Sequence, residues 1–214
     1  MIPVLYNFFR STAAWRVRIA LNLKGVSHDR RGVWIRTEEH RKPDYLAVNP
    51  QGLVPAMDVG GVILPQSIAI LEWLEETHPE PPILPRDAAQ RGMVRAAALL
   101  IACDIHPLNN RRVLEYLKDR LSLDAGAIRD WENNWLAEGF RGLQAQTADN
   151  PGPFLFGETP TMADICLVPQ VGNAARAGID IADYPRLARA HAAMVALPPV
   201  QAAHPDRQPD VPPP

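Results

Sequence analysis

The sequence predicts an α/β domain followed by an all-helical domain. Short strand-like and helix-like segments alternate over residues 1–78, whereas no segment after residue 86 shows the period of two that is typical of a strand. Between them, residues 79–86 contain four prolines, each of which removes an amide donor and fixes φ. We therefore predict a first domain at residues 1–78, a linker at 79–86 and a second domain at 87–197.

The first domain follows the order β-α-β, a connection, then β-β-α. Its first helix carries Val17, Ala20 and Leu21 with the spacing of one amphipathic face. Gly60-Gly61, between two short apolar runs, is the strongest hairpin signal in the chain. The predicted elements are a strand at residues 3–7, a helix at 13–23, a weak strand at 28–33, strands at 56–59 and 62–64, and a helix through 70–77.

The second domain is predicted to be helices separated by turn residues. Thr161 and Asp164 have the spacing of a capping box, in which a hydroxyl and a carboxylate satisfy amides at a helix start. Residues 198–214 hold seven prolines and few apolar side chains, so we expect a flexible tail there. The predicted helices cover residues 88–121, 125–147, 161–177 and 185–196, with breaks at Pro107, residues 150–153 and Gly178.

The composition excludes several classes of function. With 47% hydrophobic residues, 21% charged residues and a net charge of −2, the chain has a globular composition and not that of a nucleic-acid-binding protein. No long apolar stretch follows the basic N-terminus, so we expect neither a signal peptide nor a membrane span, and a cytoplasmic location. Cys103 and Cys166 form no Cys-x-x-Cys pair, and His106 has no companion at metal-ligand spacing. We therefore expect no disulfide and no metal site.

The segment between the first strand and the first helix is the first candidate for chemistry. It reads Arg10-Ser11-Thr12, and the amides at a helix N-terminus stabilise an anion placed there. A serine hydroxyl at that place can donate to a thiolate and lower the pKa of the thiol. The alternative is that Ser11 or Thr12 only caps the helix.

Four further candidates each allow a purely structural interpretation as well. Pro55 suits either a trans turn or a cis peptide ahead of a strand. Gln66-Ser67 can hold a carboxylate at a helix start or only cap the helix. Arg111-Arg112 fit an anion site, a solvated face or ion pairs. Arg176 lies in the last turn of a predicted helix, where its positive charge could either stabilise the helix dipole or bind an anion.

Five segments, taken together and in order, resemble the zeta class of the glutathione transferase family. The resemblance extends over about residues 2–197 and implies a glutathione transferase fold, in which a thioredoxin-like N-terminal domain precedes a C-terminal helical bundle. The segments are RSTAAWRVRIAL at residues 10–21, NPQGLVPA at 49–56, QSIAILEWLEE at 66–76, DIHPLNNRR at 104–112, and the stretch from glycine through PTMAD to VPQ at 157–170.

The resemblance implies a glutathione-dependent cis–trans isomerase of a maleyl keto dicarboxylic acid, maleylacetoacetate or maleylpyruvate, and a homodimer. Ser11, with support from Thr12, would stabilise the glutathione thiolate. Many members of the family have a cysteine where this chain has Ala13, so glutathione supplies the only thiol of the implied site. The implied glutathione contacts are Ser11, His40, Gln51, the Val54 backbone beside a cis Pro55, Gln66, Ser67, His106 and Asn110. The implied substrate-binding residues are Arg10 and Arg176, to which we add Arg111 and Arg112 as candidates.

Two other functions are consistent with the same motifs. A transferase that conjugates glutathione to small electrophiles such as haloacids would use the same glutathione contacts. A non-catalytic protein of this fold, acting through protein contacts, would not require Ser11, Gln66-Ser67 or Arg176, all of which are present. The arginines favour the isomerase, because a planar guanidinium pairs bidentately with the carboxylates of a maleyl acid.

Overall fold

The computed structural model describes residues 2–209 and divides the chain into two compact units. The first unit contains residues 2–82 and 196–209, and the second is Ile83–Val195. The first boundary, after Pro82, lies inside the predicted linker. The second boundary lies ahead of the C-terminal segment, so both ends of the described chain belong to the first unit.

A sheet of four short strands forms the centre of the first unit. The strands are β1 (Val4–Asn7), β2 (Asp29–Gly32), β3 (Ala56–Asp58) and β4 (Ile63–Pro65), and they lie in the order β2-β1-β3-β4. β2 is parallel to β1, because a helix between them returns the chain to the edge where β1 began. β3 is antiparallel to β1 and β4 is antiparallel to β3, across a turn in which Gly60 and Gly61 have φ of 88° and 90°. Such φ values are accessible mainly to glycine, which explains the hairpin signal.

Three helices accompany these strands: α1 (Thr12–Leu23), α2 (Pro43–Leu46) and α3 (Ser67–Thr77). α1 begins one residue before the predicted helix and is buried along most of its length, including the side chains of Arg16 and Arg18. The sequence does not predict α2, because four residues are too few to show a helical period.

The second unit is helical, as predicted. Its helices are α4 (Ala88–Leu99), α5 (Arg111–Leu121), α6 (Ala125–Thr147), α7 (Met162–Ala177) and α8 (Pro185–Val195). The predicted helix at 88–121 is divided, since the chain widens into a π-helical segment, Leu100–Ile105, and then tightens into a 3₁₀ segment, His106–Asn109. Pro107, which has no amide hydrogen to donate, lies at this change of helical geometry.

α7 is the central buried helix of the second unit, and a capping box begins it. One carboxylate oxygen of Asp164 accepts from the Leu155 amide at 2.8 Å. The other accepts from the amide of Thr161 at 2.8 Å and from its hydroxyl at 2.7 Å. Burial raises the pKa of Asp164, while these hydrogen bonds oppose the rise. The predicted capping box is therefore present, and its carboxylate also secures the loop before the helix.

The expectation of a flexible tail at residues 198–214 is wrong for the part that the structure describes. A helix, α9 (Pro198–Ala202), follows the second unit, and residues 196–209 fold with the first unit. The Asn22 side chain donates to the Pro199 carbonyl at 2.9 Å, and Arg30 donates to the Gln208 side chain at 2.7 Å. Proline is favourable at the first position of a helix, so the composition does not exclude order here. Residues 210–214 lie outside the described residues.

The described residues, 2–209, contain neither a candidate membrane span nor a cluster of metal-ligating side chains. No helix in this range is long and apolar enough to cross a membrane. No group of three or more His, Cys, Asp or Glu side chains in the same range is placed to hold a metal ion.

Candidate functional site

The candidate site of the first unit lies at one edge of its sheet. β1 and β4 run in the same direction, because each is antiparallel to β3. Tyr6 pairs with Ala56, which in turn pairs with Pro65, so β1 and β4 end at the edge where β3 begins. The residues that directly follow β1 and β4, and those that directly precede β3, therefore meet at this edge. Three of the predicted groups of site residues, Arg10 to Thr12, Val54 and Gln66-Ser67, follow or precede these strand ends.

Ser11 connects β1 to α1 and caps the helix. Its amide donates to the Phe8 carbonyl at 2.9 Å, and its Oγ accepts from the Ala14 amide at 3.2 Å. A hydroxyl that accepts in this way still has its own proton to donate. The capping role and the thiolate-stabilising role are therefore compatible. Thr12, the first residue of α1, is buried.

Arg10 precedes this cap and is exposed. Its guanidinium carbon lies 5.4 Å from the centre of the Phe9 ring, in cation–π contact. Phe9 in turn packs edge-on against Phe8 at 4.9 Å and lies 6.2 Å from Trp34, which follows β2. An aromatic cluster at the sheet edge thus holds the side chain on which Arg10 rests.

The Val54–Pro55 peptide ahead of β3 is cis, as the resemblance implies. The preceding carbonyl, of Leu53, accepts from the Tyr45 hydroxyl at 2.6 Å and from the Asn49 side chain at 2.8 Å. Burial raises the pKa of Tyr45 to about 12, so its hydroxyl stays protonated as a donor. Within residues 2–209, neither the amide nor the carbonyl of Val54 makes a hydrogen bond. A peptide ligand could therefore pair with this backbone.

Gln66 and Ser67 begin α3 after β4. Gln66 has a φ of 71°, which is uncommon for a residue other than glycine, and its side chain donates to Gln51 Oε1 at 2.9 Å. Ser67 Oγ accepts from Arg16 Nη1 at 3.3 Å. The first amides of α3 and a buried guanidinium thus favour an anion at this helix start. The sequence did not identify Arg16, because its partner lies 51 residues away.

His40 is the buried residue of the turn Glu39–Arg41, and its carbonyl lies close to Gly52. A Cβ on Gly52 would lie 2.9 Å from the His40 carbonyl oxygen, and Gly52 has a φ of 60°. Only glycine is compatible with both conditions. The glycine after Gln51 therefore allows the His40 turn to lie beside the Gln51 segment.

In the second unit, His106 and Asn110 are neighbours. Asn110 Nδ2 lies 3.4 Å from His106 Nε2, and Asn110 Oδ1 caps α5 by accepting from the Arg112 amide at 3.2 Å. Arg111 Nε lies 2.5 Å from Glu115 Oε1 on the same helix face. The ion-pair alternative therefore applies to Arg111, while the Arg112 side chain is exposed.

Arg176 lies in the last turn of α7, and two asparagines that the sequence did not identify connect it to the 3₁₀ segment His106–Asn109. Arg176 Nη2 donates to Asn173 Oδ1 at 2.9 Å, and Asn173 Nδ2 donates to Asn109 Oδ1 at 2.9 Å. The positive charges of Arg129 and Arg176 oppose the rise in the pKa of Glu132 that burial causes. The only local signal for Asn173 is its spacing of three residues from Arg176 on one helix face.

Comparisons with known proteins cover almost the whole chain. The N-terminal domain of the glutathione S-transferase family matches residues 10–77, and its C-terminal domain matches residues 111–193. A maleylpyruvate isomerase from a Ralstonia species is 49% identical over 208 residues, which make up 96% of this chain and 98% of the relative.

Solved structures agree with this match. The holo structure of a maleylpyruvate isomerase, a bacterial glutathione S-transferase of the zeta class, is 48% identical, with a TM-score of 0.94 over 97% of this chain and 99% of that one. The structure of a maleylacetoacetate isomerase from Methylobacterium extorquens contains malonate and glutathione. It is 38% identical, with a TM-score of 0.93 over 98% of this chain and 99% of that one.

Proposed function

The chain belongs to the zeta class of the glutathione S-transferase family, and we propose that it is a glutathione-dependent cis–trans isomerase of a maleyl keto dicarboxylic acid. Relatives of both substrate types, maleylpyruvate and maleylacetoacetate, match it over nearly its full length. The observation that carries the proposal is the Ser11 hydroxyl, which caps α1 and retains a proton to donate at the sheet edge where Val54 and Ser67 also lie.

The residues at this edge fit glutathione, which has a peptide backbone, two terminal carboxylates and a thiol. The Val54 amide and carbonyl, which make no hydrogen bond within residues 2–209, can pair with the peptide backbone. The start of α3 at Gln66 and Ser67, with Arg16 beside it, can hold a carboxylate. Ser11 can bind the thiol. The further contacts that we propose are His40, Gln51, His106 and Asn110.

When bound, glutathione supplies a thiolate that adds to the cis double bond and leaves again after rotation about the resulting single bond. Ser11 donates its hydroxyl proton in a hydrogen bond to the thiolate and so lowers the pKa of the thiol. The positive end of the α1 dipole, next to Thr12, acts in the same direction. Because residue 13 is alanine, the protein itself contributes no thiol at this position.

We assign the substrate carboxylates to Arg10 and Arg176. A guanidinium holds a carboxylate through two parallel hydrogen bonds, and its positive charge also stabilises the negative charge that develops on the substrate when the double bond is attacked. Arg111 is already paired with Glu115, so Arg112 is the better candidate for a further cation on α5.

An isomerase and a conjugating transferase are distinguished by whether glutathione is consumed as the product forms. We would incubate the protein with maleylpyruvate or maleylacetoacetate and a small amount of glutathione, and follow the fumaryl product and the free thiol together. Many turnovers per glutathione, with no loss of free thiol, are expected. Loss of one thiol per product would establish a conjugating transferase, and failure of the protein to bind glutathione resin would favour a non-catalytic role.

We also propose a homodimer in the cytoplasm, on the resemblance to the family alone. Light scattering of the purified protein would test the assembly, and a mass equal to one 214-residue chain would contradict it.

A further inference from the structure

We infer that Asn173 and Asn109 form a two-residue relay that orients the Arg176 guanidinium toward the substrate carboxylate. Both are thus positioning residues for the isomerisation. The inference rests on the proposed function, because it takes Arg176 as a substrate-binding residue. It adds two residues to the site and explains how an exposed arginine at the end of a helix is held in one orientation.

The direction of the relay follows from the chemistry of arginine. A guanidinium has donors and no acceptor, so the Asn173 atom that faces Arg176 must be Oδ1. The Asn173 amide nitrogen then faces Asn109, which must present its own Oδ1. Each side-chain amide is therefore held in one of its two possible orientations. The guanidinium of Arg176 sets these orientations, because it can only donate hydrogen bonds.

Burial along the relay shows which end is fixed. Arg176 is exposed, Asn173 is half-buried, and Asn109 is buried with 6% of its surface exposed. Trp131 Nε1 donates to the neighbouring Leu108 carbonyl at 2.7 Å and holds the segment of Asn109 against α6. An exposed arginine samples many rotamers, and loss of that freedom on binding a ligand costs affinity. An anchor at the buried end reduces this cost before the substrate arrives.

The relay itself adds no negative charge beside Arg176. Both asparagines are neutral and hold the guanidinium in addition to Glu132, whose carboxylate also interacts electrostatically with Arg176. Within residues 2–209, Asn109 Nδ2 makes no hydrogen bond and is buried, so the relay ends in a donor.

Asn173→Leu is the main test, because leucine has a similar size and removes both hydrogen bonds. The KM for the maleyl substrate is expected to rise about tenfold, since hydrogen bonds to charged groups are among the stronger ones. The KM for glutathione and the thermal midpoint should change little. The same substitution at exposed Asn134 of α6 is the control and should leave every constant unchanged. If Asn173→Leu does not fold, Asn109→Ala tests the relay from its buried end with the same expected rise in KM.

A double-mutant cycle with Arg176→Ala separates positioning from a general structural effect. If Asn173 acts through Arg176, adding Asn173→Leu to Arg176→Ala raises KM little further. Equal effects of Asn173→Leu in both backgrounds would overturn the relay. An effect of Arg176→Ala with none of Asn173→Leu would overturn the relay and leave the proposed function intact. No effect of Arg176→Ala on KM would overturn both the relay and the assignment of Arg176 to the substrate.

Discussion

The hydroxyl of Ser11 has two roles at one atom. Its oxygen caps α1 by accepting from Ala14, and its proton is left for a ligand. In the sequence these roles are alternatives, because spacing alone cannot show which way a hydroxyl points. The geometry allows both at once, and the dipole of α1 favours the same negatively charged ligand.

Replacement of Ser11 by Ala should raise the pKa of the bound glutathione thiol. Loss of the hydroxyl donor makes the thiolate less favourable, and turnover near neutral pH should fall about tenfold or more. Titration of the thiolate absorbance in the glutathione complex would measure the shift. Ser27→Ala, at an exposed position, is the matched control. An unchanged thiolate titration would remove Ser11 from the mechanism.

Arg10→Ala and Arg176→Ala should act on the substrate and not on glutathione. Each is expected to raise the KM for the maleyl acid about tenfold or more, because an ionic hydrogen-bond pair is lost. Steady-state kinetics with each reactant varied in turn would measure this. Arg120→Ala is the control, because Arg120 is an exposed arginine in the last turn of α5. Normal constants in both variants would show that the carboxylates bind elsewhere.

His191 on α8 should make stability depend on pH. Burial lowers the pKa of His191 below its ordinary value of 6.5. The unfolded chain therefore binds a proton at a higher pH than the folded chain does. As a result, the free energy of unfolding decreases as the pH falls through the ordinary pKa of 6.5 toward the lower pKa of His191 in the folded state. Urea unfolding of wild type and His191→Gln between about pH 7.5 and pH 5.5 would measure it. Equal acid sensitivity in both proteins would contradict the prediction.

At the scale of elements, Arg18 connects α1 to both the site loop and the C-terminal segment. Its guanidinium donates to Asn7 Oδ1 at 2.6 Å, to the Phe9 carbonyl at 2.9 Å and to the Ala203 carbonyl at 3.1 Å. Asn7 ends β1, and Phe9 supports Arg10. A single fully buried side chain thus links the end of a strand, the loop before the cap of α1, and the chain beyond α9.

Arg18→Met should therefore destabilise the protein by about 3 kcal/mol or more, because it leaves several buried acceptors without their donor. Arg30→Met is the matched control, since Arg30 reaches the same segment through Gln208 from an exposed position and should cost less than about 1 kcal/mol. Denaturant unfolding would compare the two variants. Equal losses of stability would show that burial of the guanidinium is not what distinguishes these arginines.

The boundaries of the helices and strands show which elements could be predicted from local sequence signals alone. The helix predicted at residues 13–23 and the hairpin at Gly60-Gly61 are confirmed, because a cap, an apolar face and two glycines are all encoded locally. α2 and α9 were not predicted, because both are short and begin at prolines whose neighbours show no periodicity.

At the scale of the whole molecule, the first unit is discontinuous in sequence. The chain leaves it after Pro82, forms the second unit, and returns to it at Ala196. The segment that returns packs beside α1, with the His204 ring 5.2 Å from the Trp15 ring. The glutathione-binding unit that we propose therefore includes residues from both ends of the described chain.

A chain truncated after residue 195 should accordingly lose much of its affinity for glutathione. Arg18 and Asn22 would lose their carbonyl partners in the segment, and the loop that carries Ser11 would lose a support. Calorimetric titration with glutathione would measure the affinity, and circular dichroism would test whether the helices of the second unit persist. Full affinity in the truncated chain would show that residues 1–82 form the site without this segment.

Sequence by itself determined the class of the fold and supplied the candidate site residues. The helix caps, the glycine turn, the proline-rich linker and the family motifs are all local patterns, and a local pattern acts through neighbours along the chain. The position of Ser11 at the start of a helix followed from such patterns, whereas the cis peptide at Pro55 was implied only by the resemblance to the family.

Tertiary structure alone decided which distant groups meet. Asn109 and Asn173 are 64 residues apart, Arg16 and Ser67 are 51 apart, and Arg18 and Ala203 are 185 apart. A hydrogen bond over such a separation depends on how whole elements pack, and packing leaves no periodic trace in the sequence around either partner. For this reason the relay to Arg176 and the ordered C-terminal segment became visible only in the folded chain.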